Sequence, residues 1–299
     1  MERHQPVMAQ EVVSLLVGGP DDWICDATVG SGGHAAAILE VLGPGGRLIG
    51  LDQDPRALER TARHLAGHEE RLLLRRANFR DMVDVVRPLA PQGLDGILLD
   101  LGVSSEQIDD PASGFSFMAA GPLAMTMDPE RHPDAAELVN SISTDELATL
   151  LREYGDVRGA GRIARAIVAA RPLATTADLA AAARRGGAFM AADQARVFQA
   201  VRIAVNDEMG ALEQALLGMA ELLRPGGRAV VIAYHSGEDR RVKRFFHPVE
   251  FGKPLPWDPE PGRRWELLTK GALKPGEGEV ARNSRSRSAR VRAARRGQG

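Results

Sequence analysis

The chain has 299 residues, 44% hydrophobic and 26% charged; its opening MERHQPVMAQEVV has no signal-peptide pattern and no apolar run nears the roughly 18 residues of a membrane helix, so a soluble, cytoplasmic protein without membrane contact is expected. A single cysteine, Cys25, excludes disulfides within the chain and argues against a cysteine-based metal centre, and no metal is expected. Seven arginines and no acid in residues 281–299 put +7 there and −9 on the rest of a chain of net charge −2, which excludes a uniformly basic surface and suggests local contact with phosphates, a frayed solvated terminus being the alternative.

The first apolar run, Trp23–Asp26, reads as a strand ending in DATVGSGGH (26–34), where three glycines fall within four positions. Glycine permits positive φ and close approach of a ligand to the main chain, so this cluster suggests a binding turn, with an ordinary tight loop as the alternative. A second strand, Arg47–Asp52, follows the turn GPGG (43–46), and Asp54 as N-cap with Pro55 at the first helical position predicts a helix after it. Further strands are predicted at Arg71–Arg76, Gly96–Asp100 and Arg228–Tyr234, the last after LLRPGG, whose proline and glycines read as a helix stop. Strands alternating with helical patterns predict an α/β fold with a mostly parallel sheet.

The fourth and fifth strands are separated by far more residues than a crossover needs. From about Pro133 to Asn206 the pattern is helical and alanine-rich. Ser143 with Glu146 and Thr175 with Asp178 are spaced as capping signals, Gly155 reads as a stop, and Val197, Val201, Ala204 and Val205 share a helix face. Gly159-Ala160-Gly161 stands at another helix start.

In an open parallel sheet the ligand sits beyond the carboxyl ends of the strands. Those ends here are Asp26 with the glycine turn, Asp52, Asn78-Phe79, Asp100 and Tyr234-His235-Ser236. Asp52 lies twenty residues after Gly32, the spacing at which an acid accepts hydrogen bonds from a ribose diol. The turn GSGG lacks the G-x-G-x-x-G spacing that cradles a pyrophosphate, so a ribose-bearing, diphosphate-free ligand such as S-adenosyl-L-methionine fits. Phe79 could pack beside an adenine. Arg240, Arg241, Lys243 and Arg244 form a basic cluster beside the fifth strand end, a solvated helix face being the alternative. His235, Ser236 and Asp239 do not read as a hydrolase triad, since three sequence neighbours rarely make that geometry and no G-x-S-x-G elbow is present.

The segments GSGGH (30–34), LDQDP (51–55), DGILLDLGVSS (95–105), Gln107, GFSFMAAGPL (114–123), FQAVRIAVNDE (198–208), YHSGEDRRVKRFF (234–246) and SRSRSARVR (284–292) resemble those of the bacterial 16S ribosomal RNA cytosine-N4 methyltransferase family, in the family's order from His4 almost to the C-terminus. The resemblance implies a class I S-adenosylmethionine-dependent methyltransferase fold, a Rossmann-like mostly parallel sheet with an inserted α-helical domain. It implies methylation of a cytosine N4 amine at the decoding centre, with 16S rRNA or the small ribosomal subunit as partner. Carried over by position, the cofactor residues are Gly32, Gly33, His34, Asp52, Phe79, Asp100 and Gln107, of which His34 and Gln107 rest on the family pattern alone. Asp100 is the catalytic candidate, positioning the amine or the cofactor, with capping of the following turn as the alternative. Candidate RNA contacts are His235, Arg240, Arg241, Lys243, Arg244, Arg285 and Arg287.

The expected organisation is a discontinuous methyltransferase core (1–107 and 207–280), an inserted substrate-recognition domain (108–206) and a basic tail (281–299). The chain departs from the family at GPLAMTMD (121–128), where Ala124 and Thr126 replace an acid and an arginine. That leaves open a catalytically weakened RNA-binding or ribosome assembly factor; an NAD-dependent oxidoreductase is the less favoured alternative. Monomer and homodimer are equally compatible with the sequence.

Overall fold

Strands β1 (Trp23–Asp26), β2 (Arg47–Asp52), β3 (Leu72–Arg76), β4 (Leu94–Asp100) and β5 (Leu223–Ala233) fall on the five predicted runs. The computed structural model describes residues 6–103, 108, 110–118, 120–128, 130–247, 255–258 and 265–298. Its helices are α1 (Ala9–Leu16), α2 (Gly33–Val41), α3 (Pro55–His64), α4 (Met82–Val86), α5 (Ala135–Ser141), α6 (Thr144–Gly155), α7 (Ala160–Ala169), α8 (Thr176–Arg185), α9 (Ala191–Val205), α10 (Glu208–Leu222), α11 (Ser236–Phe246) and α12 (Glu277–Arg282). Two compact units are present, one of residues 1–102 and 210–299, the other of residues 103–209.

In the first unit, β6 (Trp265–Leu267) and β7 (Arg290–Arg296) complete a seven-stranded sheet of order β3-β2-β1-β4-β5-β7-β6. Strands β1 to β5 pair in parallel, and β7 runs antiparallel to both of its neighbours. This is the class I methyltransferase sheet that the resemblance implied. Alternate residues enter opposite cores: Cys25, Ile49, Leu51, Ile97, Leu99 and Val231 on one face, Ile24, Leu48, Leu98, Val230 and Ile232 on the other. Burial on both faces explains why the strands read as continuous apolar runs. The chain winds outward from β1 in one direction and from β4 in the other, so the gap between these neighbours is the topological switch point where such sheets bind ligands.

Two expectations change at the C-terminal side. LLRPGG does stop a helix, α10 at Leu222, but it also begins β5, five residues before the predicted start: Leu223 pairs with Leu94, and a register shift absorbs the turn before Arg228 pairs with Gly96. Residues 290–296, read as part of a basic tail, are a strand whose Val291, Ala293 and Ala294 are buried. Its arginines do not oppose this. Arg290 and Arg292 bond to Asp239, at 3.2 and 2.7 Å for the nearest pairs, and a long aliphatic stem can lie on apolar surface with its charged head satisfied.

The second unit is a helical bundle around Leu147, Leu151, Ile163, Ile167, Leu179, Val197 and Val201. Both predicted capping boxes form, Ser143 with Glu146 and Thr175 with Asp178. Helix α6 ends at Gly155, and Gly159, at φ +71°, caps the start of α7 in a conformation that disfavours side chains.

Candidate active site

The glycine turn is built by backbone necessity. Gly30 and Gly32 have φ of +53° and +83°, and a Cβ on Gly32 would lie 3.1 Å from Thr61 Cγ2. On Gly33 it would meet the Pro6 ring at 3.2 Å. The Thr61 hydroxyl donates to Gly30 O at 2.7 Å, pinning the turn to α3. Helix α2 then starts without a side-chain cap, leaving its N-terminal partial positive charge at the head of the turn.

Asp52, at the end of β2, accepts from Gly30 N–H on Oδ2 and from Asp54 N–H on Oδ1, each at 2.9 Å. Burial raises its pKa and these two donors oppose the rise. Each carboxylate oxygen has a further lone pair, so Asp52 can stiffen the turn and still accept from a diol.

Asp100 ends β4 across the switch point. Its N–H donates to Thr28 Oγ1 at 2.7 Å, Tyr234 Oη donates to its Oδ1 at 2.8 Å, and His34 Nε2 stands 3.4 Å from its Oδ2. Burial disfavours the His34 imidazolium, but Asp100 and then Asp26 outweigh it and the imidazole pKa is raised. Burial and the adjacent Asp100 push the Tyr234 phenol up, so it remains a donor.

Asp26 is 1% exposed. Its Oδ1 accepts from Thr28 N–H at 3.2 Å, and its Oδ2 is buried with no hydrogen-bond partner. Burial pushes its pKa up to about 7, with His34 and the Thr28 N–H lowering it and Asp100 and Asp52 raising it.

Gly32, Gly33, His34, Asp52 and Asp100 are therefore brought together around one turn. Phe79 opens the short 3-10 turn 79–81, half-buried against the core, while the Asn78 side chain caps that turn and donates to Gln53 Oε1 at 2.8 Å. Gln107 lies outside the described residues. His235 caps α11: Nδ1 accepts from the N–H groups of Gly237 and Glu238, and Nε2 is 3.1 Å from Glu238 Oε1. Of the basic cluster on α11, Arg240 is exposed, Arg241 bonds to Glu213 at 2.8 Å, and Lys243 and Arg244 are half-buried. Arg285 and Arg287 are exposed in the 3-10 turn 284–288. Sequence reasoning did not single out Thr28, or Asp26 and Tyr234 as members of the polar network. The signal available was position alone, since Asp26 closes β1 and Tyr234 directly follows β5.

Comparison with known proteins gives a family and close relatives. A model described as the MraW methylase family matches residues 1–297. The proteins named ribosomal RNA small subunit methyltransferase H from Syntrophotalea carbinolica and Rubrobacter xylanophilus are each 46% identical; the alignments cover 98% of this chain and 98% and 95% of theirs. The same-named protein of Heliobacterium mobile is 44% identical over 97% of this chain and 98% of its own.

Proposed function

The chain belongs to the MraW methylase family, and on that premise we propose that it transfers a methyl group from S-adenosyl-L-methionine to the exocyclic N4 amine of one cytosine in 16S rRNA, at the decoding centre of the small subunit. Methylation of small-subunit ribosomal RNA follows from the family and from relatives of that name aligned over nearly the whole chain. The cytosine-N4 target rests on the motif resemblance. The observation that carries the reading is the convergence of the glycine turn, Asp52 and Asp100 at the switch point between β1 and β4.

The residues present fit the cofactor. Asp52 suits the ribose diol, the uncapped start of α2 suits the methionine carboxylate, and the orphaned oxygen of Asp26 with the neighbouring Asp100 suits the ammonium. Phe79 is the candidate neighbour of the adenine. When bound, the cofactor supplies an electrophilic methyl group on a sulfonium.

Cytosine N4 is a weak nucleophile because its lone pair is delocalised into the ring. The protein must hold that nitrogen in line with the methyl group and offer acceptors to its hydrogens. Alignment of this kind contributes roughly 7 to 11 kcal/mol in favourable cases. Asp100, fixed by Tyr234 and His34, is the acceptor we assign to the amine or the cofactor. A strong base is unnecessary, because the amine proton becomes acidic only as the methyl group transfers. The target base must leave its stack to reach such a pocket. We assign the second unit to substrate recognition and Arg240, Arg285 and Arg287 to RNA phosphates.

A catalytically weakened assembly factor is the second reading. It is favoured by the departure at Ala124 and Thr126, where the Thr126 hydroxyl is buried without a hydrogen-bond partner. The missing pyrophosphate spacing and membership of a methylase family argue against an NAD-dependent oxidoreductase. Incubation of the protein with labelled S-adenosyl-L-methionine and unmodified small subunits, or the naked RNA, followed by nucleoside analysis, tests the proposal. Label on cytosine N4 is expected; cofactor binding without transfer would instead favour the assembly factor.

A further inference from the structure

Phe189 and Met190 are 72% and 69% exposed, side by side where α8 meets α9. The loop that presents them is held in place. Gly186 N–H bonds to Ala182 O at 3.1 Å and Ala188 N–H to Ala183 O at 3.0 Å, closing α8. Arg162 of α7 donates Nε to Gly186 O at 2.7 Å, and its guanidinium lies over Gly187, which is at φ +107° and has no room for a side chain. Arg184 is held against the amide of the buried Gln194.

A fixed backbone that shows two large apolar side chains to water gives up the burial each could have gained. It also gives a partner a flat ring that loses little freedom on contact. The sequence that builds it is rich in arginine: residues 157–206 contain eight arginines and two acids, of which Arg162, Arg171 and Arg202 are bonded to Gly186 O, Ile142 O and Glu208. Arg165, Arg185 and Arg196 are exposed on α7, α8 and α9.

A ring that can stack, on a loop whose flanking helices expose guanidinium forks that match phosphate oxygens, is complementary to a chain of unpaired bases on a polyanionic backbone. A protein partner would be better served by a contiguous apolar patch than by two apolar side chains among arginines. We propose that the α8–α9 junction is a stacking platform for single-stranded RNA: Phe189 stacks on an unpaired base, and Arg185 and Arg196 take the adjoining phosphates. This rests on the ribosomal RNA reading above and adds to it a site built only from residues of the helical unit.

The test is fluorescence anisotropy of the full-length protein with a fluorescein-labelled single-stranded oligoribonucleotide of mixed sequence. Phe189→Ala should raise Kd roughly 5- to 150-fold without moving the melting temperature. Phe189→Trp should keep the affinity and add an emission, relative to the parent protein, that RNA quenches. Arg185→Glu combined with Arg196→Glu should lower the slope of log Kd against log salt by about 2. An unchanged Kd for Phe189→Ala, or an emission in F189W indifferent to saturating RNA, would overturn the platform. So would a Phe189→Ala protein that binds RNA normally but no longer retains a ribosomal protein. Methyl transfer to small subunits by the parent protein is measured alongside. Its absence counts against the enzymatic reading, whereas transfer by the parent with intact RNA binding in Phe189→Ala counts against the platform alone.

Discussion

Tyr234 donates its phenolic hydrogen to Asp100 Oδ1 at 2.8 Å, while His34 Nε2 stands 3.4 Å from the other oxygen of the same carboxylate. The residue that follows β5 thus holds the acid that ends β4 by a hydrogen bond, and the first turn of α2 sets an imidazole beside its other oxygen. A carboxylate fixed this way costs little reorganisation when a substrate arrives.

Replacing Tyr234 with Phe should therefore act through Asp100. Loss of a hydrogen bond to a charged group costs about 1.5 to 3 kcal/mol, so kcat should fall roughly 10- to 100-fold. The Kd for S-adenosyl-L-methionine should change less. Asp100→Ala should also slow transfer, and adding Tyr234→Phe to it should cost little more, because the acceptor of that hydrogen bond is already gone. Fully additive losses in single-turnover rates would show that Tyr234 is not a positioning residue for Asp100.

Asp52 ties the glycine turn to β2 and is the proposed acceptor of the cofactor diol, and one variant separates the two by two measurements. Asp52→Ala removes the expected diol acceptor and leaves the Gly30 and Asp54 N–H groups without their acceptor. Cofactor affinity in calorimetric titration should fall roughly 10- to 100-fold. The melting temperature should fall as well, since the glycine turn loses its tie to β2. Unaltered affinity in a destabilised protein would confine Asp52 to the turn.

Local signals were legible in the sequence and distant pairings were not. RLIGLD after GPGG gave β2 to the residue, and Asp54, Ser143 and Thr175 cap the helices they were expected to start. Each of those features is decided within a few residues. β7 was hidden because RVRAARR is rich in charge, and what makes it a strand is Asp239, some fifty residues earlier, together with pairing to β5. At the site, the strand-end rule found Asp52 and Asp100. It could not find the partner of Asp100, Tyr234, which lies 134 residues further on, nor the full burial of Asp26.

Asp26 predicts an unusual pH dependence. Burial raises its pKa to about 7 from the ordinary carboxylate value, so the folded state holds a proton that the unfolded chain releases. The stabilising effect of that bound proton is complete below the unfolded pKa and is lost as pH rises through about 7. Above that pH the free protein carries a buried carboxylate. Asp26→Asn should then be the more stable protein at about pH 8, by up to about 4 kcal/mol, and the difference should shrink toward about pH 5. Denaturant unfolding across that range is the check. A difference that does not vary with pH would mean that Asp26 is ionised throughout.

Residues 290–299 and the pair Arg285 and Arg287 separate the structural role of the basic C-terminal segment from the RNA contact proposed for it. Deleting 290–299 removes the strand between β5 and β6, uncovers Val230 and Ile232 and leaves Asp239 without its two arginines. The expected result is insoluble or unfolded protein, read by circular dichroism, because an edge of unpaired β5 backbone invites aggregation. Arg285→Ala with Arg287→Ala changes only exposed side chains of a short turn, so the fold should persist. RNA affinity should fall across sequences, and the salt slope should drop by about 1 for each phosphate that is no longer neutralised. If the truncated chain instead folded normally and bound RNA more weakly, β7 would be dispensable to the sheet and the segment would be the tail its composition suggests.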